Sequence, residues 1–222
     1  NYSKFETKVH LKHIFPNKKI PKIVNINHGI SHLASAFYTS GFKESLGIVT
    51  EGAAEVTSII LAKMKEDGSY LILKEILYPN SVGLFYGAFT EWLGWKSKEG
   101  EGTVMGLSPY GKPIYKLKDA FKLTKDEYYK YNPDYGCDYV GKLIIKKFGK
   151  KRQYDSPILR KHKYVAASIQ KKLEEIMLFY LKKAKEMGNS KNLCLAGGVA
   201  LNVKMNQVLK EKGYIENIFI QP

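Results

Sequence analysis

Ten residues near the C-terminal end of the chain, Leu193-Cys194-Leu195-Ala196-Gly197-Gly198-Val199-Ala200-Leu201-Asn202, run from an apolar strand through a glycine pair into a helix. Glycine reaches backbone angles that other residues avoid and carries no Cβ to hold a ligand away. The helix that follows offers unpaired N–H groups and the positive end of its dipole. Strand-to-helix turns also need glycine for steric reasons alone. Two readings are therefore open at Gly197, Gly198 and Asn202, a tight turn and a ligand seat.

The surroundings of this loop define an α/β chain. Asn192 to Ala196 reads as a strand, Ala200 to Lys212 as a helix closed by Gly213, and Asn217 to Gln221 as a second strand. Such a strand–helix–strand unit requires parallel pairing. Upstream, Ser45 to Thr50, Val56 to Met64 and Tyr70 to Ile76 are rich in Val, Ile and Leu. Asp67-Gly68 is a hairpin turn between the last two, and Glu51 to Glu55 is the loop between the first two, which together make an antiparallel meander. From Tyr164 to Met187, apolar residues at Val165, Ile169, Leu173, Ile176, Met177 and Tyr180 mark one face of a long helix with Gly188 as its C-cap. Pro21 to Ile26 reads as a short strand leading into a helical stretch through Leu33 to Tyr38 that ends near Gly41. Helical periodicity resumes after Pro79-Asn80-Ser81. The glycine-rich stretch Glu99 to Gly111 is expected to be neither regular helix nor central strand.

At 222 residues, 44% hydrophobic and 13% aromatic, the chain can bury a sizeable core. No stretch approaches the roughly 20 apolar residues that span a bilayer, and Asn1 to Glu6 do not resemble a signal peptide. Cys137 and Cys194 are too few for a disulfide framework, so a reducing, cytoplasmic setting is expected. The net charge of +15 admits nucleic acid, an anionic membrane or a phosphorylated substrate as partner. Its densest run, Lys146 to Arg152, lies in a segment of low regularity. No nucleic-acid motif accompanies it, so neither nucleic acid nor membrane is the expected partner.

His28 and His32 stand four residues apart, which on a helix puts both on one face, where two imidazoles can ligate one metal ion at about 2.0–2.1 Å. Two surface or capping histidines at this spacing are the plain alternative. The absence of Glu after His28 excludes the His-Glu-x-x-His metalloprotease pattern. His10, His13 and His162 sit among lysines and are expected to be solvated. In the loop between the first two meander strands, Glu51 and Glu55 flank Gly52. Carboxylates at a sheet edge can hold Mg²⁺ or orient a polar substrate, while the amides of the same turn can contact phosphate.

Taken in order, His28-x-x-x-His32-Leu-Ala-Ser-Ala-Phe, Glu51-Gly-x-x-Glu55, Tyr78-Pro-Asn-Ser-Val-Gly-Leu-Phe-Tyr, Val104-Met-Gly-Leu-Ser-Pro-Tyr-Gly111 and Leu193 to Asn202 resemble the successive motifs of O-carbamoyltransferases of the nodulation and antibiotic-tailoring type. The resemblance covers roughly residues 22 to 222 and is loose between about 115 and 160. It implies an actin/hexokinase (ribonuclease H-like) fold, here incomplete: residues 1–44 as the end of the first lobe with the histidine helix, residues 45–222 as the second lobe, and 112–160 as an irregular insert. It also implies a reaction, in which carbamoyl phosphate is activated with ATP as carbamoyl-adenylate and the carbamoyl group passes to a hydroxyl of a sugar or natural product.

By the same resemblance, His28 and His32 bind a divalent metal, often iron. Gly197, Gly198 and Asn202 face the adenosine side of ATP, and Glu51, Gly52 and Glu55 lie in the phosphate and substrate loop. The family usually has Asp at the position of Glu51, Gly at Ala54, Lys at Thr103 and a second His at Gly29. A third metal ligand, an aspartate, and a domain that makes the carbamoyl-adenylate are expected in sequence beyond Pro222. The remaining domains of a longer chain, or a second copy of this one, are the expected protein partners, and the isolated chain is expected to bind metal weakly without turning over carbamoyl phosphate. The tRNA threonylcarbamoyl-transfer enzymes share the histidine pair and the glycine loop and stand as an alternative, as does a non-catalytic nucleotide-fold module.

Overall fold

The computed structural model describes residues 2–54, 56–137 and 139–221. Its centre is a five-stranded mixed sheet in the order β3-β2-β1-β6-β7, formed by β1 (Glu44–Ala54), β2 (Thr57–Lys65), β3 (Tyr70–Leu77), β6 (Asn192–Ala196) and β7 (Asn217–Ile220). β1, β2 and β3 pair antiparallel as a meander, with Gly68 in the left-handed region at the β2–β3 turn. β6 adds parallel to β1, and β7 parallel to β6. The expected α/β class, the meander and the parallel unit are all present.

Helices cover both faces of this sheet, which explains why its inner strands read as unbroken apolar runs rather than alternating ones. On one face, α2 (His28–Ser40) packs Leu33, Ala36 and Phe37 against Val49, Ile60, Ala62, Met64, Cys194 and Ala196. On the other, Leu46, Ile48, Ile59, Leu61, Leu193 and Leu195 meet α3 (Val82–Trp92), α6 (Arg160–Gly188) and α7 (Val203–Glu211). The period-two alternation along β1 and β2 thus sorts side chains between two cores. α6 carries the expected buried face, including Val165, Ile169, Leu173, Ile176, Met177 and Tyr180. It runs through Gly188 and is capped by Asn189, at φ 42°, instead of ending on the glycine.

Residues 112–160 form a layer over α3. A hairpin of β4 (Phe121–Leu123) and β5 (Tyr129–Tyr131) is followed by a short 3-10 turn and α5 (Lys142–Phe148). Phe85 of α3 sits edge-on to Phe89, Phe121, Tyr131 and Tyr135, and Trp92 packs on Phe148 while its indole N–H donates to the Gly149 carbonyl. Edge-to-face aromatic pairs add to simple burial. The Lys146 to Arg152 run is spent largely on this packing. Lys147 pairs with Asp119, Lys151 with Glu91, and buried Arg152 donates to the carbonyls of Leu93, Tyr154 and Ser156 with its guanidinium over Trp95. Of the run's cations Arg152 alone is buried, Lys147 and Lys151 serve as exposed ion-pair partners, and the run is helical up to Phe148.

Three further expectations are corrected. Pro21 to Ile26 is not a strand. Among the described residues no neighbouring strand offers its ladder, so the segment stays irregular with Val24 and Ile26 exposed. The glycine-rich stretch is mostly helical, as α4 (Glu101–Leu107) and a 3-10 turn at Ser108–Tyr110, because Gly102 and Gly106 sit on an open face and Val104 anchors the other. His162 is not solvated. It is buried at the start of α6, where Nδ1 accepts from the Leu159 N–H and the ring meets Trp92 edge-on. N-terminal to all of this lies α1 (Tyr2–Ile14), and among the described residues no helix is long and apolar enough to cross a membrane.

Burial, and after it the nearby charges of Lys161 and Arg152, hold His162 below the ordinary histidine range. The unfolded chain takes up this proton near pH 6.5 while the folded chain resists it, so stability present at about pH 7 drains away as pH falls below about 6.5. His162→Gln keeps an acceptor without a titrating ring. Its thermal midpoint is expected to fall less steeply than the wild type between about pH 7 and 5; equal slopes would show that His162 is not linked to folding.

Candidate functional site

Parallel pairing of β1 with β6 aligns Val49 with Ala196, so the C-terminal ends of both strands open at the same edge of the sheet. In open α/β sheets this is where ligands bind. Past the aligned pair both strands depart from regular geometry. The β1–β2 register shifts between Thr50 and Ala54, a bulge that frees the backbone at Glu51 and Gly52 from the ladder. The segment expected as a loop is therefore the irregular end of β1.

β6 turns away at Gly197, which has φ 91°, and a Cβ there would lie 2.5 Å from the Thr50 carbonyl oxygen. The first glycine of the pair is thus demanded by both backbone angle and space. Gly198 has no such demand: a Cβ would sit 3.4 Å from Glu51 Oε2. Its N–H donates to Glu51 Oε1 at 2.9 Å. A 3-10 turn, Gly198–Leu201, then leads to α7, which Asn202 caps by accepting the Met205 N–H.

From the other face, α2 brings the histidines. Asn27 caps it by accepting the Ile30 N–H at 3.1 Å, which starts the helix at His28 and sets His28 and His32 one turn apart on one face. The two Nε2 atoms are 3.0 Å apart and the rings meet edge-on at 4.7 Å. Glu51 Oε1 lies 3.0 Å from His32 Nε2 and 3.9 Å from His28 Nε2. All three donors fall within 4.8 Å of one another. Ligands at about 2.0–2.2 Å from one ion, at tetrahedral to octahedral angles, stand roughly 3–3.5 Å apart. The His28–His32 and His32–Glu51 separations match that spacing, so two imidazole nitrogens and one carboxylate form a donor set that can hold a divalent cation.

A third element docks on the same edge. Ser81 Oγ donates to the Glu51 carbonyl at 2.8 Å and accepts the Leu84 N–H at 3.1 Å, capping α3 and binding it to β1 in one stroke. Gly83 then presses on Gly52, where a Cβ would lie 2.9 Å from Gly52 N and Cα. The structure therefore brings His28, His32, Glu51, Gly52, Gly197 and Gly198 to one place. Glu55 lies outside the described residues. Asn202 is beside the loop, with its side chain turned toward α6.

Sequence reasoning missed what supports the glycine loop from behind. Gln170 and Glu174 are buried on α6, where Gln170 reaches Asn202 and Tyr86 and donates to Glu174 behind it. The signal was present. Positions 166, 170, 174 and 177 follow the helix repeat, so two polar residues stand on the inward stripe, where they need partners.

With this geometry in view, the class is plain: an α/β sheet opening onto a histidine–carboxylate cluster beside a glycine loop. The chain belongs to the carbamoyltransferase N-terminus family, whose model matches residues 2–222. It is 36% identical over 215 residues to an uncharacterised protein of Synechocystis, covering 92% of this chain and 35% of that protein. It is 32% identical over 204 residues to the nodulation protein NolO of Bradyrhizobium diazoefficiens, covering 89% of this chain and 35% of the relative. A tRNA N6-adenosine threonylcarbamoyltransferase of Fervidobacterium nodosum is 27% identical over 203 residues, 90% of this chain and 57% of that enzyme. The chain thus spans about a third of the length of the first two relatives.

The two glycines separate cleanly by mutation. Gly197→Ala incurs left-handed strain and a backbone clash and is expected to lower unfolding free energy by about 2 kcal/mol or more, while Gly198→Ala costs under about 1 kcal/mol. Urea titration measures both. Equal effects would contradict the assignment of the turn to Gly197.

Proposed function

We propose that this chain is the part of a carbamoyltransferase that holds a divalent metal ion and the nucleotide. The observation that carries this reading is the convergence of His28 Nε2, His32 Nε2 and the Glu51 carboxylate within 4.8 Å, on a carboxylate that also accepts the Gly198 N–H. Metal ligands and nucleotide loop meet at a single side chain. The meander extended by a parallel strand–helix–strand unit supports reading residues 45–222 as the second lobe of an actin/hexokinase-like fold, with α2 belonging to the end of the first.

In this reading His28, His32 and Glu51 hold the ion, for which iron is the choice the family resemblance favours. When bound, the ion supplies polarisation of a carbamoyl carbonyl or lowers the pKa of an acceptor hydroxyl. Gly197 and Gly198 let ATP approach bare backbone, and Asn202 borders its adenosine side. Glu51 holds the loop through Gly198 and orients His32. Glu51 and Gly52, where β1 leaves the regular ladder, belong to the phosphate and substrate loop. Carbamoyl phosphate is the donor, carbamoyl-adenylate the activated form, and a sugar or natural-product hydroxyl the acceptor. The relative named for tRNA threonylcarbamoyl transfer favours a second reading, with tRNA as acceptor and the +15 charge as its attraction.

Calorimetric titration with Co²⁺ tests the first claim. One ion is expected to bind per chain, and His32→Ala and Glu51→Ala are each expected to weaken it by about tenfold or more. Unchanged affinity in both variants would overturn the metal assignment. Titration with tRNA across a salt series decides the second reading, since a steep fall of affinity with salt supports it and no binding removes it.

A further inference from the structure

The side chain that fixes the glycine loop comes from α6. Gln170 is 2% exposed and uses its whole amide. Nε2 donates to Glu174 Oε1 at 3.2 Å and to Asn202 Oδ1 at 2.9 Å. Oε1 accepts from the Tyr86 hydroxyl at 3.0 Å and from Asn202 Nδ2 at 2.9 Å. Two donors and two acceptors are the full complement of a primary amide, and all four are matched.

The direction of every bond in this chain is determined. A carboxylate only accepts, so Glu174 obliges Gln170 to present its NH₂ on that side. A backbone N–H only donates, so Met205 obliges Asn202 to present Oδ1 toward α7. Gln170 and Asn202 then face each other with donor opposite acceptor at both positions. The Tyr86 hydroxyl stays protonated, since burial and, after it, the Glu101 carboxylate raise its pKa above the ordinary range. Turning either amide over would set oxygen against oxygen in a buried site, where unmatched polar groups cost most.

We propose that Gln170, oriented by Glu174, is the positioning residue of the glycine loop: through Asn202 it sets where the Gly198 N–H stands against Glu51. The proposal deepens the reading of that loop as a nucleotide seat and rests on it for its functional consequence. The loop is thereby gripped from two sides, by β1 through Glu51 and by α6 through the amide pair. A nucleotide then meets a preformed seat and need not order it on binding.

Amide hydrogen exchange and ATP affinity, measured on the whole chain, test this. Gln170→Met keeps shape and burial but removes the amide. Exchange at Gly198, Ala200 and Asn202 is expected to speed up by about tenfold while Leu195 in β6 keeps its protection. Glu174→Gln retains an acceptor for the Gln170 NH₂ while Asn202 still fixes its direction, and is expected to behave as wild type, whereas Glu174→Met, which leaves a buried Gln170 N–H without an acceptor, is expected to follow Gln170→Met and stands in for it should that variant not fold. The ATP dissociation constant is expected to rise at least about tenfold in the two Met variants and less than twofold in Glu174→Gln. Unchanged loop exchange in the Met variants, or a loss spread evenly through α6 and β6, would overturn the positioning role. Absence of ATP binding in the wild type would overturn the nucleotide reading alone, leaving the exchange data to decide the role of Gln170.

Discussion

Four aligned pairs, Leu46 with Leu193 through Val49 with Ala196, join β1 to β6, and the rest of the site depends on them. Parallel pairing places two C-terminal strand ends side by side, which brings Glu51 and Gly198 within hydrogen-bond distance across 147 residues of chain. Loop-closure entropy opposes so distant a contact. What repays it is burial on both faces of the strands, since Leu46, Ile48, Val49, Leu193, Cys194, Leu195 and Ala196 are each at most 2% exposed. The two-core arrangement is therefore the condition for the site rather than its backdrop.

On that edge, three elements are aimed by short polar devices at their starts. Asn27 begins α2 so that His28 and His32 share a face, Ser81 begins α3 while holding the Glu51 carbonyl, and Asn202 begins α7 while holding Gln170. Each cap satisfies a helix N–H and, for Ser81 and Asn202, also fixes a neighbouring element. Capping residues here set the relative placement of the chemistry-bearing groups.

Much of this was legible in the sequence because it follows from local periodicity. The meander, the parallel unit, the inward face of α6 and the shared face of His28 and His32 rest on repeats of two or 3.6 residues, which side-chain direction enforces. Features set by distant contacts were not legible. Nothing in the run Pro21 to Ile26 says that no strand will lie beside it, and nothing near His162 says that Trp92 will cover it. Nor does the Gly197-Gly198 pair reveal which glycine is obligatory. That follows from the Thr50 carbonyl, a residue far away in the chain. The same holds for Glu51: spacing marked it as a sheet-edge carboxylate, but only the fold shows it turned to both His32 and Gly198.

In the proposed reading, His28, His32 and Glu51 form one cation site at the edge where the glycine loop begins. Anomalous diffraction from crystals of the chain soaked in Co²⁺ tests it most directly. A single strong peak is expected within about 2.0–2.3 Å of both histidine Nε2 atoms and a Glu51 carboxylate oxygen. A fully occupied peak elsewhere, with these three side chains left without metal, would contradict it.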